Sequence, residues 1–408
     1  MIKRILTEIL SQQLQKIPKS ILLLGPRQTG KSTLIKELDP HLTINLAKES
    51  VYREHLTDPK LIERQVAGLI DGTNHSNAKR GQRQKERIRI FIDEVQRLPS
   101  VLNTVQSIID DYKQVTFLLT GSSARKLRRG AANLLPGRIL QHRLAPLIYW
   151  EIRDSNNFDL EKALTIGTLP EIYLEDYGQE LLQDYTDIYL REEIVAESIV
   201  RNHASYGIFL SVAAKVSGQE LNYAKLAFDS EIPKESIRRY VEILDDTLLI
   251  RKIPGFTAIQ SSRKAIQREK IIFFDLGVRN AILNIHHNHF SSDDYGPLFE
   301  QWITLQLLYY SEYHAKKWKL HYYRDDLSYD VDLIVEHGEK LTAIEIKWGK
   351  SYKSSWKEGL EHFISQHHKR KIPIQTLIIY RGDSRQKDGM ISILPYQTFL
   401  TNLEDFLD

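Results

Sequence analysis

Three groups of residues in this chain have types and spacings with chemical consequences. The first is Gly25-Pro26-Arg27-Gln28-Thr29-Gly30-Lys31-Ser32, followed by Thr33, which fits G-x-x-x-x-G-K-[ST] without a mismatch. Glycines at both ends let the backbone turn its N–H groups inward, and a lysine and hydroxyls follow. That set suits a chain of phosphates: amides and a helix N-terminus meet the anion. Lys31 would reach the β- and γ-phosphates, and the Ser32 hydroxyl would ligate Mg²⁺. The second group is Asp93-Glu94. Beside a phosphate loop, Asp93 would hold the Mg²⁺ through water, and Glu94 would orient or deprotonate an attacking water. The third is Asp332 with Glu345 and Lys347, two carboxylates and an ammonium.

These residues act together only if the elements carrying them converge. Ile21 to Leu24 read as a buried strand entering the first loop, and Thr33 to Leu38 open a helix. The segment 88-IRIFIDEVQRLP-99 is an apolar strand ending in Asp93-Glu94, and 115-VTFLLTGSS-123 is a third strand ending in hydroxyls. Ser122 or Ser123 there would sense the γ-phosphate between the first two strands, although Thr-Gly-Ser is also ordinary turn chemistry. Between the loop and the Asp93 strand, 68-GLIDGTNHSNAKRGQRQKERIR-89 is polar and basic and reads as an inserted surface loop.

Residues 151–206 carry Leu, Ile and Tyr at helical spacing, with Glu192-Glu193 as an exposed charged turn. Three short helices follow over 208–218, 221–231 and 233–247, then a strand over 248–256, which is a winged-helix order. The third helix carries Lys234, Arg238 and Arg239 against Glu235, Glu242, Asp245 and Asp246. That balance makes a poor phosphate-tracking surface, so protein contact and DNA binding both stay open. The run 286-HHNH-289 reads as a solvated linker.

In the last third, Glu300 sits in the apolar-periodic helix 298-LFEQWITLQLLYY-310. The strand 320–324 and a hairpin over 330–349, turning at His337-Gly338-Glu339, come next. Strand alternation puts Glu345 and Lys347 on one face, where an antiparallel neighbour brings Asp332 alongside. A helix at 353–366 and a strand at 375–382 complete an αβββαβ order. Asp325, Asp326 and Asp330 stand near enough in sequence to serve as ligands instead.

The bulk composition limits the classes available. A chain of 408 residues exceeds one ordinary core, and 42% hydrophobic with 27% charged residues is a globular balance without an apolar run of bilayer length. The absence of cysteine removes disulfides, thiolate metal sites and thiol nucleophiles, and fits a reducing cytoplasm. A net charge of +3 is not that of a polycation, and the basic runs 79–89 and 124–130 read first as solvated faces and second as hints of a polyanion partner.

The stretches GPRQTGKST, IFIDEVQRLP, LLTGSSARKL and LPGRILQHRLAPLIYWE resemble a large family of bacterial and archaeal AAA-superfamily ATPases. The likeness continues through 237–253, 271–282 and 341–349. It implies ATP and Mg²⁺ as cofactors and an arginine at the γ-phosphate, sometimes from a neighbouring subunit, with Arg138 the first candidate and Arg125 the second; a phosphate-independent salt bridge is open for each. The αβββαβ order with Asp332, Glu345 and Lys347 resembles the PD-(D/E)XK nuclease superfamily. In such sites two carboxylates hold Mg²⁺, which activates water, and the lysine positions the nucleophile or neutralises the transition state. Glu300 would be the carboxylate that many members add from the first helix.

The expected fold is α/β, an AAA-type P-loop NTPase with a parallel sheet and a helical lid. A winged-helix-like module and a C-terminal α/β restriction-endonuclease-like domain complete it. The expected boundaries are 1–150 for the ATPase domain, 151–206 for the lid, 207–285 for the winged-helix-like module and 286–408 for the nuclease-like domain. Expected partners are ATP, DNA and a protein, with no membrane and no oligomeric state assigned.

Overall fold

Ile21 to Leu24 contain no polar side chain, and a strand of that kind needs cover on both faces. In a computed structural model of the chain, which describes residues 2–80, 87–122, 135–154, 158–190, 203–256, 268–286, 289–367 and 372–408, they find it. Strand β1 (Ser20–Leu24) is buried along its whole length. By packing, the chain divides into two units, Met1–Ala145 with Asp246–Leu248, and Pro146–Asp245 with Leu249–Asp408.

The first unit adds α1 (Ile5–Lys16), α2 (Lys31–Glu37), β2 (Leu42–Asn45), α3 (Glu49–Thr57), α4 (Leu61–Arg80), β3 (Ile88–Asp93), α5 (Val101–Asp111), β4 (Val115–Gly121) and β5 (Ile139–Arg143). The strands lie in the order β2-β3-β4-β1-β5, and every neighbouring pair is parallel. β4 therefore lies between the strand that feeds the glycine loop and the strand that carries Asp93. Leu24 registers with Gly121 and Ile92 with Leu119, so the three carboxyl ends share one edge of the sheet. Parallel sheets place their ligand crevices at that edge.

The basic segment 68–89, expected as a loop, is helical over its first part, since α4 continues to Arg80. Ile62, Val66 and Ile70 recur every fourth residue and dock into the core of the sheet, which outweighs the polar residues between them. Residues 81–86 lie outside the described ones.

The second unit opens with short helices at Tyr149–Ile152, Leu160–Thr165, Pro170–Leu174 and Gly178–Asp184, here α6 to α9. Then come α10 (His203–Lys215), α11 (Tyr223–Ser230), α12 (Lys234–Asp246) and an antiparallel pair, β6 (Ile250–Ile253) with β7 (Lys270–Phe273). Asp275 begins α13 (Leu276–Ile282) by accepting the Val278 N–H at 3.1 Å, and it also takes the Thr168 N–H at 2.7 Å. Burial pushes its carboxyl up to about 6 despite those donors. Asn280 donates to the carbonyls of Leu164 and Thr165 at the end of α7. The stretch 275-DLGVRN-280 is thus a clamp that joins α13 to the α7 turn.

A long helix, α14 (Tyr295–Tyr313), lies against a six-stranded sheet ordered β12-β13-β11-β10-β9-β8. The strands are β8 (Lys319–Arg324), β9 (Asp330–His337), β10 (Lys340–Lys347), β11 (Ile374–Tyr380), β12 (Gln386–Asp388) and β13 (Ile391–Pro395). β8, β9 and β10 form an antiparallel meander, and β10, β11 and β13 are parallel. Helix α15 (Glu358–His367) crosses between β10 and β11, packing Leu360 and Phe363 on Ala343 and Ile378. α14 is apolar nearly all round and correspondingly buried. No helix among the described residues is long and apolar enough to cross a membrane.

Candidate functional site

The glycine loop is built by close approach. A Cβ on Gly25 would stand 2.6 Å from the Leu144 carbonyl oxygen, so only glycine lets β1 run into the turn there. Gly30 caps α2 at φ 90°, a left-handed conformation that glycine adopts without strain. Within the loop the Thr29 hydroxyl donates to the Pro26 carbonyl at 2.9 Å. Lys31 is 5% exposed, and its ammonium donates to the carbonyls of Gly25 and Pro26, each at 2.8 Å. Arg4, just before α1, braces the loop by donating to the carbonyls of Thr29 and Ala145, each at 2.7 Å.

Asp93 closes β3 beside this loop. Both of its carboxylate oxygens accept from the Ser32 hydroxyl at 2.9 Å, and Oδ1 also accepts from the Thr120 hydroxyl at 2.5 Å. A buried carboxylate flanked by hydroxyls is a set of hard oxygen donors, the kind that Mg²⁺ takes. Glu94 turns the chain at φ 57°, ψ 47°, and its N–H donates to Thr120 Oγ1 at 3.2 Å. Left-handed backbone at a non-glycine residue persists only where the surroundings enforce it. Gln96 supplies part of that enforcement: its Nε2 donates to the Glu94 carboxylate and, at 2.9 Å, to the buried Ser122 hydroxyl. Gln96 Oε1 is buried without a partner.

A second group of charges forms in the other unit. The β9–β10 register, with Leu333 opposite Ile344, brings Asp332 level with Glu345. Asp332 Oδ2 accepts the Ile346 N–H at 2.7 Å and lies 3.9 Å from Lys347 Nζ, which is paired with Glu345 Oε1. Glu300, on α14, is ion-paired at 3.0 Å with Lys270 of β7. Glu345 Oε2 is buried with no hydrogen-bond partner.

Burial, then the charge of Asp332, holds Glu300 and Glu345 well above the usual carboxylate range. Lys270 and Lys347 are raised as well: burial opposes their charge, but the surrounding carboxylates outweigh it. Three carboxylates thus outnumber two ammoniums, so both lysines stay charged while the surplus negative charge favours a proton on an acid. Among the described residues, no three His, Asp or Glu side chains are grouped as a metal site. Of the alternative acids, Asp325 is bonded to His362 at 2.5 Å and to the N–H groups of Leu327 and Tyr329, and Asp326 is exposed.

Residues 18–153 match the family model described as an AAA domain. Together with the loop at the carboxyl end of β1 and Asp93 two strands away, the match decides the assignment. Residues 18–153 form an AAA-type P-loop ATPase domain. Residues 157–289 and 295–399 match two models described as domains of unknown function, DUF8612 and DUF4143. An uncharacterized protein of Mycobacterium tuberculosis is 25% identical over 335 residues, 80% of this chain and 70% of that protein. Another, of Methanocaldococcus jannaschii, is 24% identical over 446 residues, 98% of this chain and 89% of that one. Among solved structures, C. elegans PCH-2 overlays at 14% identity with a TM-score of 0.25, over 68% of this chain and 64% of that one. A structure of Pif1 helicases on forked DNA overlays at 13% identity and the same score, over 46% and 52%. The chain thus spans about half to two thirds of those solved chains, and overlays at these scores do not bear on what it does.

The ATPase domain places Arg138 away from the phosphate loop, against the expectation for it. Its carbonyl accepts the Ser20 N–H at the start of β1, and its guanidinium holds Asp110 at 2.8 and 3.0 Å. The loop leaves the other end of β1, roughly 15 Å off at the rise of an extended strand. Arg138 therefore does not complete the site of its own chain. Arg27 is half-buried in the loop and Thr33 is exposed on the first turn of α2. Ser123, Arg125, Glu192, Glu193 and His287 lie outside the described residues.

Sequence reasoning missed Arg4, Thr120 and Gln96 in the ATPase domain, and Lys270 in the second cluster. Thr120 stood in the hydroxyl run beside Ser122 and was legible from it. Nothing local marks the other three.

Proposed function

We propose that this chain is an ATP-binding, Mg²⁺-dependent ATPase whose nucleotide state controls a C-terminal module directed at nucleic acid. The observation that carries the reading is the meeting of Ser32 and Thr120 on Asp93, beside a loop whose lysine is folded onto its own carbonyls. Inward amides of residues 25–32 and the Lys31 ammonium would take the β- and γ-phosphates in exchange for those carbonyls. Ser32 and Asp93 would hold the divalent ion, which neutralises charge on the phosphate oxygens when bound. Glu94, held by Gln96 and next to Ser122, would accept a proton from the attacking water as the γ-phosphate leaves ADP. Departure of the γ-phosphate would then release the residues gathered on it.

For the rest of the chain, the reading keeps a lid over 151–206, a winged-helix-like module over 207–285 and a nuclease-like domain over 286–408. Three helices followed by an antiparallel pair support the second of these, and the meander with Glu300, Asp332, Glu345 and Lys347 supports the third. In that reading Asp332, Glu345 and Glu300 hold a divalent ion and Lys347 steadies the charge on a phosphodiester.

A second reading is favoured by one specific observation. Lys270 and Lys347 already pair with Glu300 and Glu345, as a relic fold with no cation to hold would arrange them. The chain would then be an ATP-dependent conformational switch for a protein partner, and the acids on α12 suit that role.

Titration with a non-hydrolysable ATP analogue and phosphate-release kinetics test the first reading. Lys31→Ala should lose binding at least tenfold. Glu94→Gln should bind normally but turn over about 10²–10⁴-fold more slowly, the range for a lost general base. Wild-type binding by Lys31→Ala, or wild-type turnover by Glu94→Gln, overturns it. Metal-dependent DNA cleavage that vanishes in both Asp332→Ala and Lys347→Ala separates the nuclease from the relic.

A further inference from the structure

Within the second unit, a cavity of about 380 Å³ is lined by α11, the approach to β7 and the strands β8 and β9. Its size falls in the range of small-ligand sites. Its wall carries four bases, Lys225, Arg268, Lys270 and Arg324, against two acids, Glu220 and Asp330. Two of the bases are already engaged, Lys270 with Glu300 at 3.0 Å and Arg324 with Glu220 at 3.7 Å. Lys225 and Arg268 have no ion pair among the described residues, and both are exposed.

Tyr322 links the wall between them. The Tyr322 hydroxyl donates to the Arg268 carbonyl at 2.6 Å, and Lys270 Nζ lies 5.1 Å from the centre of the Tyr322 ring. The inner side of the cavity meets the carboxylate cluster, because Lys270 belongs to both. Asp330 on the wall is also two residues from Asp332, on the same face of β9.

Lys225 and Arg268, facing a concave space without an ion pair among the described residues, suit an anion, and the volume limits its size. A duplex, whose major groove alone is about 12 Å wide, does not enter a cavity of this volume. One phosphate-bearing nucleotide unit does. We infer that the cavity takes the terminal nucleotide of a nucleic-acid single strand, and that Lys225 and Arg268 hold its phosphates while Lys270 faces the carboxylate cluster. The inference rests on the reading of the C-terminal module as nucleic-acid directed, and gives that module its substrate class.

The test uses the full chain with saturating ATP, so that the phosphate loop is filled. Fluorescence anisotropy follows labelled single-stranded DNA, single-stranded RNA and blunt duplex over a salt series. The proteins are wild type, the double variant Lys225→Glu with Arg268→Glu, and the double variant Arg385→Glu with Lys387→Glu as a charge-matched control at an exposed strand. Wild type and the control should prefer single strands to duplex. The double variant should bind single strands at least tenfold more weakly, and its log–log salt slope should flatten by about 0.7 for each phosphate it no longer neutralises. Its ATP affinity should stay at the wild-type level, since neither residue belongs to the phosphate loop.

Equal strand binding by wild type and the double variant overturns the cavity assignment while leaving the nucleic-acid reading intact. A preference for duplex overturns the single-strand assignment. If a nucleoside monophosphate binds wild type but not the double variant, and no strand binds, the ligand is a free nucleotide and the strand assignment falls. If neither strand nor monophosphate binds wild type, the cavity inference and the nucleic-acid reading fall together.

Discussion

The phosphate loop and the second carboxylate cluster use the same vocabulary, lysines and acids gathered beside buried strands, and wire it in opposite ways. At the loop, the Lys31 ammonium bonds neutral carbonyls and the Asp93 carboxylate accepts from neutral hydroxyls. In the cluster, Lys347 pairs with Glu345 and Lys270 with Glu300. A site whose charges rest on neutral groups can exchange those groups for a charged ligand at small cost. One whose charges rest on each other must first break a buried ion pair, and removal of one partner from such a pair costs about 3–5 kcal/mol. The first arrangement anticipates a ligand. The second compensates itself and needs a strong competitor to open.

Removing each lysine tests that contrast most directly. Lys347→Met should destabilise the chain by about 3–5 kcal/mol, because Glu345 and Asp332 would then face one another without their shared cation. Lys31→Met should cost no more than about 1–2 kcal/mol, the loss of the hydrogen bonds its ammonium makes to the Gly25 and Pro26 carbonyls. Urea unfolding of both variants measures the difference. Equal losses would show that the two lysines are embedded alike and would break the comparison.

A pH series sharpens it. Folding raises Glu345 and Glu300 above their unfolded values, so the folded state binds protons more readily there. Stability from these groups is complete below the ordinary Glu value and is lost as pH rises through the raised folded values, at about 1.4 kcal/mol for each unit of elevation. Glu345→Gln cannot titrate at that position. Between pH 5 and pH 8.5 its melting temperature should therefore fall less than that of wild type. A variant that falls as steeply as wild type would mean that Glu345 stays ionised throughout and the surplus charge is relieved elsewhere.

The unequal wiring also explains what could be read from residues alone. The loop from Gly25 to Ser32 is contiguous, each member has a local reason to be there, and the strand and helix around it follow from their own apolar patterns. Asp93 was legible because its strand ends on it. The partners that complete the site come from elsewhere in the fold: Arg4 from ahead of α1, Thr120 from the strand that separates β1 from β3, Gln96 from a turn. Arg138, the candidate arginine for which a phosphate-independent salt bridge stood open as well, shows the same limit. Its resemblance-based role ignored the end of β1 at which the chain returns, where Asp110 was waiting. In the second unit, strand alternation gathered Glu345 and Lys347, and the hairpin that joins β9 to β10 brought Asp332 beside them. Lys270 lies far from them in sequence, on a hairpin strand whose own pattern gives no sign of the contact. Side chains whose partners are set by a single element or a tight hairpin are legible, and those set by the packing of elements distant in sequence are not.

The smallest effect falls on the residue that sequence reasoning passed over. Thr120 is fully buried, donates to Asp93 Oδ1 and accepts the Glu94 N–H, so one hydroxyl joins the residue proposed to hold the ion to the one proposed to activate water. Thr120→Val keeps the volume and removes both bonds, which should cost about 1 kcal/mol of stability. ATP-analogue affinity should change little, because the phosphate-facing amides and Lys31 are untouched. Turnover should fall by roughly tenfold, the loss that about 1.4 kcal/mol of positioning produces. If analogue affinity and turnover fell together, Thr120 would be supporting the loop as a whole. A turnover defect alone places its contribution on Asp93 and Glu94, where neutral donors rather than ammoniums leave the acids ready for a ligand.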